Sequence, residues 1–160
     1  MFFKVKFGIL LVTILAGSSL SSFPVRSVSE DQILSLVNQD RTKNGLPELK
    51  INSTLNKAAL AKAQDMLAHG YFDHISPTGT KPWYFFKALG YNYVYAGENL
   101  AMNYNNADEL ENSWMNSPKH RDNILSPNYS DLGLAIVTQN NRTVIVQFFG
   151  SRDSKLTYEK

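Results

Sequence analysis

Leu132-Gly133-Leu134-Ala135-Ile136-Val137-Thr138-Gln139-Asn140-Asn141-Arg142-Thr143-Val144-Ile145-Val146-Gln147-Phe148 holds two apolar runs on either side of a polar break, and its reading decides the fold. In the first run Leu132, Leu134 and Ile136 alternate with Gly133, Ala135 and Val137; the second brings Val144, Ile145, Val146 and Phe148. Gln139-Asn140-Asn141-Arg142 between them offers residues that accept a tight turn. Neither side of the first run is polar, so the segment reads as a β-hairpin buried on both faces. A sheet buried on both faces needs a covering layer on each, and the rest of the chain has to supply them.

Upstream the period changes to that of helices. Ser29 stands three residues before Gln32, a capping-box spacing that opens a stripe of Ile33, Leu36 and Val37, so a helix is expected from Glu30 to about Lys43. Asn44-Gly45 closes it and Pro47 prevents resumption. Asn52-Ser53 starts a second helix through Leu55, Ala58, Ala59, Ala63, Met66 and Leu67, which Gly70 ends. Pro82 suits a first helical position before Trp83, Phe86 and Leu89, with Gly90 as the stop. Tyr91 to Tyr95 reads as a strand leading into Gly97-Glu98-Asn99, while Asn106 and Glu109 frame a helix start carrying Leu110 and Trp114. Pro118 resets the chain before a helical turn through His120, Asn123, Ile124 and Leu125. Helices first and a small antiparallel sheet last make an α+β protein, with helices over both faces of the sheet.

The composition narrows the classes. With 160 residues, 43% hydrophobic and 19% charged, the chain suits one globular domain and is too short for two ordinary ones. It has no cysteine, which excludes a disulfide framework, a thiolate metal site and a cysteine nucleophile, so any metal must be held by His, Asp or Glu. Lys4 and Lys6 precede the apolar run 7–16 and the small residues Gly17, Ser18 and Ser19, the pattern of a secretory signal peptide over residues 1–22. The run is about half the roughly 20 residues that a membrane-spanning helix needs, and an uncleaved anchor extended through Leu20 is the alternative. Residues 23–29 then form a linker, 30–151 the domain and 152–160 a polar tail. After removal of Lys4 and Lys6, 14 basic residues face 14 acidic ones, so the exported chain is near neutral and has no electrostatic footprint for nucleic acid.

Three side chains are candidates for chemistry. His74 lies in Tyr71-Phe72-Asp73-His74-Ile75-Ser76-Pro77, a loop past a helix end; His120 lies in Ser117-Pro118-Lys119-His120-Arg121-Asp122-Asn123, at the start of a helical turn; Glu98 sits between Gly97 and Asn99. Two imidazoles and a carboxylate can hold a divalent cation with one position left to water, or can share acid and base duties. From spacing alone each His is equally at home as a loop-stabilising hydrogen-bond partner, and Glu98 as a salt-bridge partner. His69, beside Gly70, is a favourable charge at a helix C-terminus. Ser76 adjoins His74, but sequence neighbours do not make a nucleophile and base unless their side chains converge.

Taken together, His74-Ile75-Ser76-Pro77, Gly97-Glu98-Asn99-Leu100-Ala101, the stretch from Trp114 to Leu125 and Leu132-Gly133-Leu134-Ala135 closely resemble the CAP superfamily in its bacterial form. This is the SCP-like domain of cysteine-rich secretory proteins, antigen 5 and pathogenesis-related 1 proteins. Val37-Asn38-Gln39-Asp40-Arg41 and Gly45-Leu46-Pro47 resemble the same family's start, and the resemblance covers Ser29 to Gly150. It implies a secreted, extracellular or periplasmic three-layer α-β-α sandwich around a small central antiparallel sheet, with a cleft holding two His and two acidic residues. His74, Glu98 and His120 match three of these four as metal-site or cleft residues, zinc being the divalent metal considered. The fourth, three positions after the helix tryptophan in the eukaryotic branch, is Ser117 here, and Glu111, six positions from Ser117 and about 120° around a helix, is no simple substitute. Asn99 and Asn123 then serve buried backbone groups, Trp114 anchors its helix, and Arg121 with Asp122 ties loops together. The expected role is a binding module for a divalent metal, a lipid or sterol, or a cell-envelope component, some of the aromatics between Tyr71 and Tyr95 lining an apolar groove. The alternatives are an extracellular hydrolase using the His/Glu cluster and a non-catalytic scaffold.

Overall fold

The computed structural model describes residues 28–152; the expected signal peptide, residues 23–27 of the linker and the tail beyond Arg152 lie outside them. In chain order the elements are α1 (Glu30–Lys43), β1 (Lys50–Ile51), α2 (Ser53–His69), α3 (Trp83–Ala88), β2 (Tyr95–Met102), α4 (Ala107–Asn116), α5 (Pro118–Ile124), β3 (Asp131–Gln139) and β4 (Arg142–Ser151). The caps are those the sequence announces. Ser29 Oγ accepts from Gln32 N at 3.3 Å, Asn52 Oδ1 from Thr54 N at 3.0 Å and Leu55 N at 3.2 Å, and Asn106 Oδ1 from Glu109 N at 3.1 Å, each satisfying a helix-start donor. Gly70 ends α2 at φ +68°, a left-handed conformation that costs glycine nothing.

The strands form one sheet in the order β1-β3-β4-β2. The β3–β4 hairpin turns at Asn140 and Asn141, φ 50° and 59°, the two-residue turn whose twist matches the strands. Alternation along β4 divides the core. Val144, Val146 and Phe148 point towards α2 and α3, where they meet Leu55, Ala59, Met66 and Phe86. Ile145 and Phe149 point towards α1, α4 and α5, where they meet Ile33, Val37, Leu110, Trp114 and Ile124. The hairpin is therefore buried on both faces, and the α-β-α sandwich expected of the chain is the fold observed. Gly133 is the point of closest approach between layers, because a Cβ there would run into the backbone of Leu55.

One local reading is corrected. The strand expected over Tyr91–Tyr95 begins only at Tyr95 and carries Gly97-Glu98-Asn99 within it. Gly90, at φ +82°, turns the chain so that Tyr91 enters the core, where its hydroxyl donates to Asp131 Oδ2 at 2.7 Å and its ring meets Phe86 edge-on. The structure adds one strand that the sequence does not announce: β1, two residues long and too short to show any period, pairs parallel to β3 at the margin of an otherwise antiparallel sheet.

At the opposite margin, alternate carbonyls of the edge strand β2 accept from side chains. Tyr129 Oη donates to Ala96 O at 3.2 Å, Asn123 Nδ2 to Glu98 O at 3.0 Å and Trp114 Nε1 to Leu100 O at 3.3 Å. Three donors from α4, α5 and the loop after it thus occupy an edge that would otherwise offer itself to another strand.

Candidate functional site

The site is built where the loop after α2 crosses the edge strand. Lys62 on α2 is fully buried, and its Nζ donates to Asp73 O and His74 O, both at 2.9 Å, and to Tyr71 Oη at 3.1 Å, beneath the Tyr71 ring. One cation thereby gathers the loop and fixes where His74 emerges. Burial pulls the Lys62 ammonium below its ordinary range, against the opposing pull of Glu98, Asp65 and Asp73.

Glu98 on β2 comes to meet the histidine. His74 Nδ1 lies 2.5 Å from Glu98 Oε1, the imidazole side chain 56% exposed and the carboxylate side chain 2%. Burial raises the Glu98 carboxyl, while its bond to His74 and the charge of Lys62 act in the other direction. His74 is raised, chiefly by that same bond. Glu98 Oε2 is buried without a hydrogen-bond partner among the described residues. His120, on α5, is lowered by burial first and by the charge of His74 second; its Nδ1 is likewise buried and without a partner among the described residues. Asn99 Nδ2 donates to His120 O at 3.2 Å and to Gln147 Oε1 at 2.9 Å, and Asn123 Nδ2 to Asn99 Oδ1 at 2.8 Å, so an amide network under the sheet edge carries α5.

A cavity of about 460 Å³ opens over the pair, lined by His74, Ile75, Lys81, Pro82, Trp83, Ala96, Gly97, Glu98 and Asn123. The structure thus brings His74 and Glu98 into contact and sets His120 close enough to feel the charge of His74, but His120 is not part of the cavity lining. Among the described residues no three His, Asp or Glu side chains are gathered so as to hold a metal ion. The donor types suit zinc, and their present arrangement is that of an oriented imidazole rather than a three-ligand cage.

Other candidates fall into place as structure. Ser76 Oγ lies 2.9 Å from Thr78 Oγ1 and accepts from Thr80 N at 3.0 Å, a turn-forming hydroxyl turned away from a nucleophile's duty. Glu111 is buried between α1 and α4 and borders a different cavity, and Ser117 is the junction of α4 and α5. Arg121 and Asp122 are exposed on α5; the loop-tying role expected of them belongs to Arg41. Trp83, one of the aromatics expected to line an apolar groove, borders the cavity, whereas the sequence does not single out Lys62 as a site residue. The available signal was a lysine at position 62 on the stripe that Ala58, Ala59, Ala63 and Met66 mark as buried.

Comparison with known proteins agrees with this geometry. The family model described as "Cysteine-rich secretory protein family", CAP, matches residues 34–149. An uncharacterized protein of Bacillus subtilis, YkwD, is 43% identical over 122 residues, 76% of this chain and 45% of that protein; the chain spans less than half the length of the curated relatives it matches. An extracellular SCP-domain protein of Bacillus anthracis superposes with a TM-score of 0.70 at 27% identity, covering 76% of this chain and 40% of that one. An outer surface protein of Borrelia burgdorferi shares the fold, with a TM-score of 0.71 at 23% identity over 79% of this chain and 98% of that one. Among the described residues no helix is long and apolar enough to cross a membrane. Sequence, layer order and the placement of the motif residues lead to one assignment: this chain belongs to the cysteine-rich secretory protein family, the CAP proteins.

Proposed function

We propose that the chain is exported and acts outside the cytoplasm as a ligand-binding module, with the cavity over His74 and Glu98 as its binding site. The observation that carries this is a buried carboxylate committed to an imidazole that is itself more than half exposed. Burying a carboxylate is costly, and spending it on a solvent-facing ring adds little stability; it does fix the ring's tautomer and direction, which a site requires. Ile75, Pro82 and Trp83 supply an apolar wall beside this polar pair, the usual composition of a small-molecule site. Export is supported by Lys4, Lys6 and the apolar run after them, and by the extracellular relative from Bacillus anthracis.

Two ligand chemistries suit the region around the His74–Glu98 pair. A divalent ion such as zinc would be held by the imidazoles of His74 and His120, with Glu98 orienting His74 instead of ligating; zinc in such a place polarises a bound water or carbonyl. A lipid, a sterol or an apolar part of a cell-envelope component would lie along Trp83 and Ile75. The test is a calorimetric zinc titration of the folded chain beside His74→Ala and His120→Ala, with palmitate and cholesterol retention measured in parallel. Stoichiometric zinc binding that both substitutions abolish is the result expected of a metal-loaded site. Retention of a lipid probe that Trp83→Ala abolishes is the result expected of an apolar one. If a cooperatively melting chain takes up none of the three, the binding-module reading is wrong and a scaffold role replaces it.

A further inference from the structure

The edge of β2 presents its two kinds of backbone group unequally. In an antiparallel ladder the N–H and C=O of one residue point the same way. Asn103, in phase with Gly97, Asn99 and Ala101, donates to Thr143 O at 2.8 Å, so those residues face β4. Ala96, Glu98 and Leu100 therefore face outward, where β2, the last strand of the sheet, has no neighbour. Tyr129 Oη occupies Ala96 O and Asn123 Nδ2 occupies Glu98 O, while no group among the described residues accepts from the N–H of Ala96 or of Glu98. Both residues line the cavity over His74. Glu98 as a whole is 6% exposed and its side chain 2%, so the surface it leaves open is mainly backbone.

An edge whose acceptors are covered and whose donors are open suits a ligand that brings oxygen acceptors and no N–H of its own. A peptide strand brings both kinds and would leave its donors unanswered. The charges around the cavity point the same way. Lys81 is exposed on its rim and pairs with no carboxylate among the described residues. Glu98 is the one acidic residue in the described lining, and its carboxylate is committed to His74 and acted on by the charge of Lys62. We propose that this cavity recognises an oxyanion, a carboxylate or a phosphate group, carried on an apolar body, with the N–H groups of Ala96 and Glu98 and the ammonium of Lys81 as donors and Trp83 and Ile75 against the body. The two N–H groups stand about 7 Å apart along the strand, so each serves its own acceptor. One takes an oxygen of the charged group beside Lys81, and the other a second acceptor further along the ligand. Backbone donors and a lysine are a common means of holding such a group. The inference rests on the cavity being a binding site and adds the chemistry that it selects.

The experiment uses the purified, isotope-labelled chain and four probes with an aromatic body and different heads: phenyl phosphate, phenylacetate, phenylethanol and phenethylamine, each titrated by NMR at neutral pH. The acids should bind at least about tenfold more tightly than the alcohol or the amine, the gain of a charge-assisted contact over a neutral one, and should move the amide proton of Ala96 or Glu98 downfield. The order of the two acids distinguishes phosphate from carboxylate as the group recognised. Lys81→Met should weaken both acids about threefold and leave the alcohol unchanged, whereas a loss of packing would weaken all four probes. Equal affinity for acids and alcohol, a preference for the amine, or acid binding that moves neither amide and is indifferent to Lys81→Met overturns the oxyanion inference. The binding-site reading survives that result if zinc or cholesterol is still taken up, and falls with it if no probe binds at all.

Discussion

Burial, with the charge of Asp40 added to it, pushes the Glu111 carboxyl up to about 8 from an ordinary 4.5. The folded chain therefore holds a proton that the unfolded chain has already released over that interval. Stability falls as pH rises through it, by about 1.4 kcal/mol per unit for a single group, and stops falling above the folded value. Glu111→Gln has nothing to ionise. In urea melts it should match wild type near pH 4.5 and exceed it by up to about 5 kcal/mol at pH 8.5; a variant no more stable than wild type at pH 8.5 shows that the carboxylate finds solvent or a partner. The same residue shows where sequence reading reaches its limit. Glu111 occupies an ordinary helical position in Leu110-Glu111-Asn112, and only the packing of α1 against α4 turns it into a buried charge. His74 and Glu98 were legible as candidates because the motifs around them are long, whereas their contact depends on Lys62, whose role rests on three carbonyl and hydroxyl partners up to 12 residues away.

At the level of elements, the side-chain donors along β2 do two jobs at once. They close an open sheet edge, and through Asn123 they join α5 to the strand that carries Glu98. Asn123→Ala removes donors to Glu98 O and Asn99 Oδ1 and leaves both acceptors at a part-buried edge. The expected cost is about 2–3 kcal/mol, read by urea denaturation, together with faster amide exchange along Tyr95–Met102 than along Arg142–Ser151. Uniform loss of protection across both strands would mean that Asn123 supports the sheet as a whole and not its edge. The elements themselves were legible wherever local chemistry and burial agree. Caps at Ser29, Asn52 and Asn106 and the stop at Gly70 set helix bounds, since each satisfies backbone groups within a few residues. Tyr91–Tyr95 misled because aromatic and β-branched residues favour both strands and cores, and here Phe86 and Asp131 draw Tyr91 inward. The strand β1 has no local signal at all; its pairing to Asp131–Leu132 is set by the chain segments on either side of it.

Across the whole molecule, the beginning of the described chain is fastened to its last third by one side chain. Arg41, at the end of α1, is fully buried. Its guanidinium donates to Pro47 O, Ile124 O and Ser126 O at 2.8 Å and to Tyr129 O at 3.4 Å, spanning up to 88 positions. The planar fork reaches acceptors that no single ammonium can reach together. This fastening holds the α1 layer against the loop that leads from α5 into β3, and that loop also supplies Tyr129 to the edge of β2. Loss of Arg41 should therefore loosen the hairpin's cover and the site's margin together. Arg41→Leu, which fills much of the volume and strands four carbonyls, should cost about 3 kcal/mol or more, roughly 10 °C in Tm for a domain of this size. Arg41→Lys should recover less than half of that, because one ammonium cannot serve carbonyls at both ends of the fork. Full recovery by lysine would show that the buried charge, and not the geometry of the fork, joins the two halves of the sandwich.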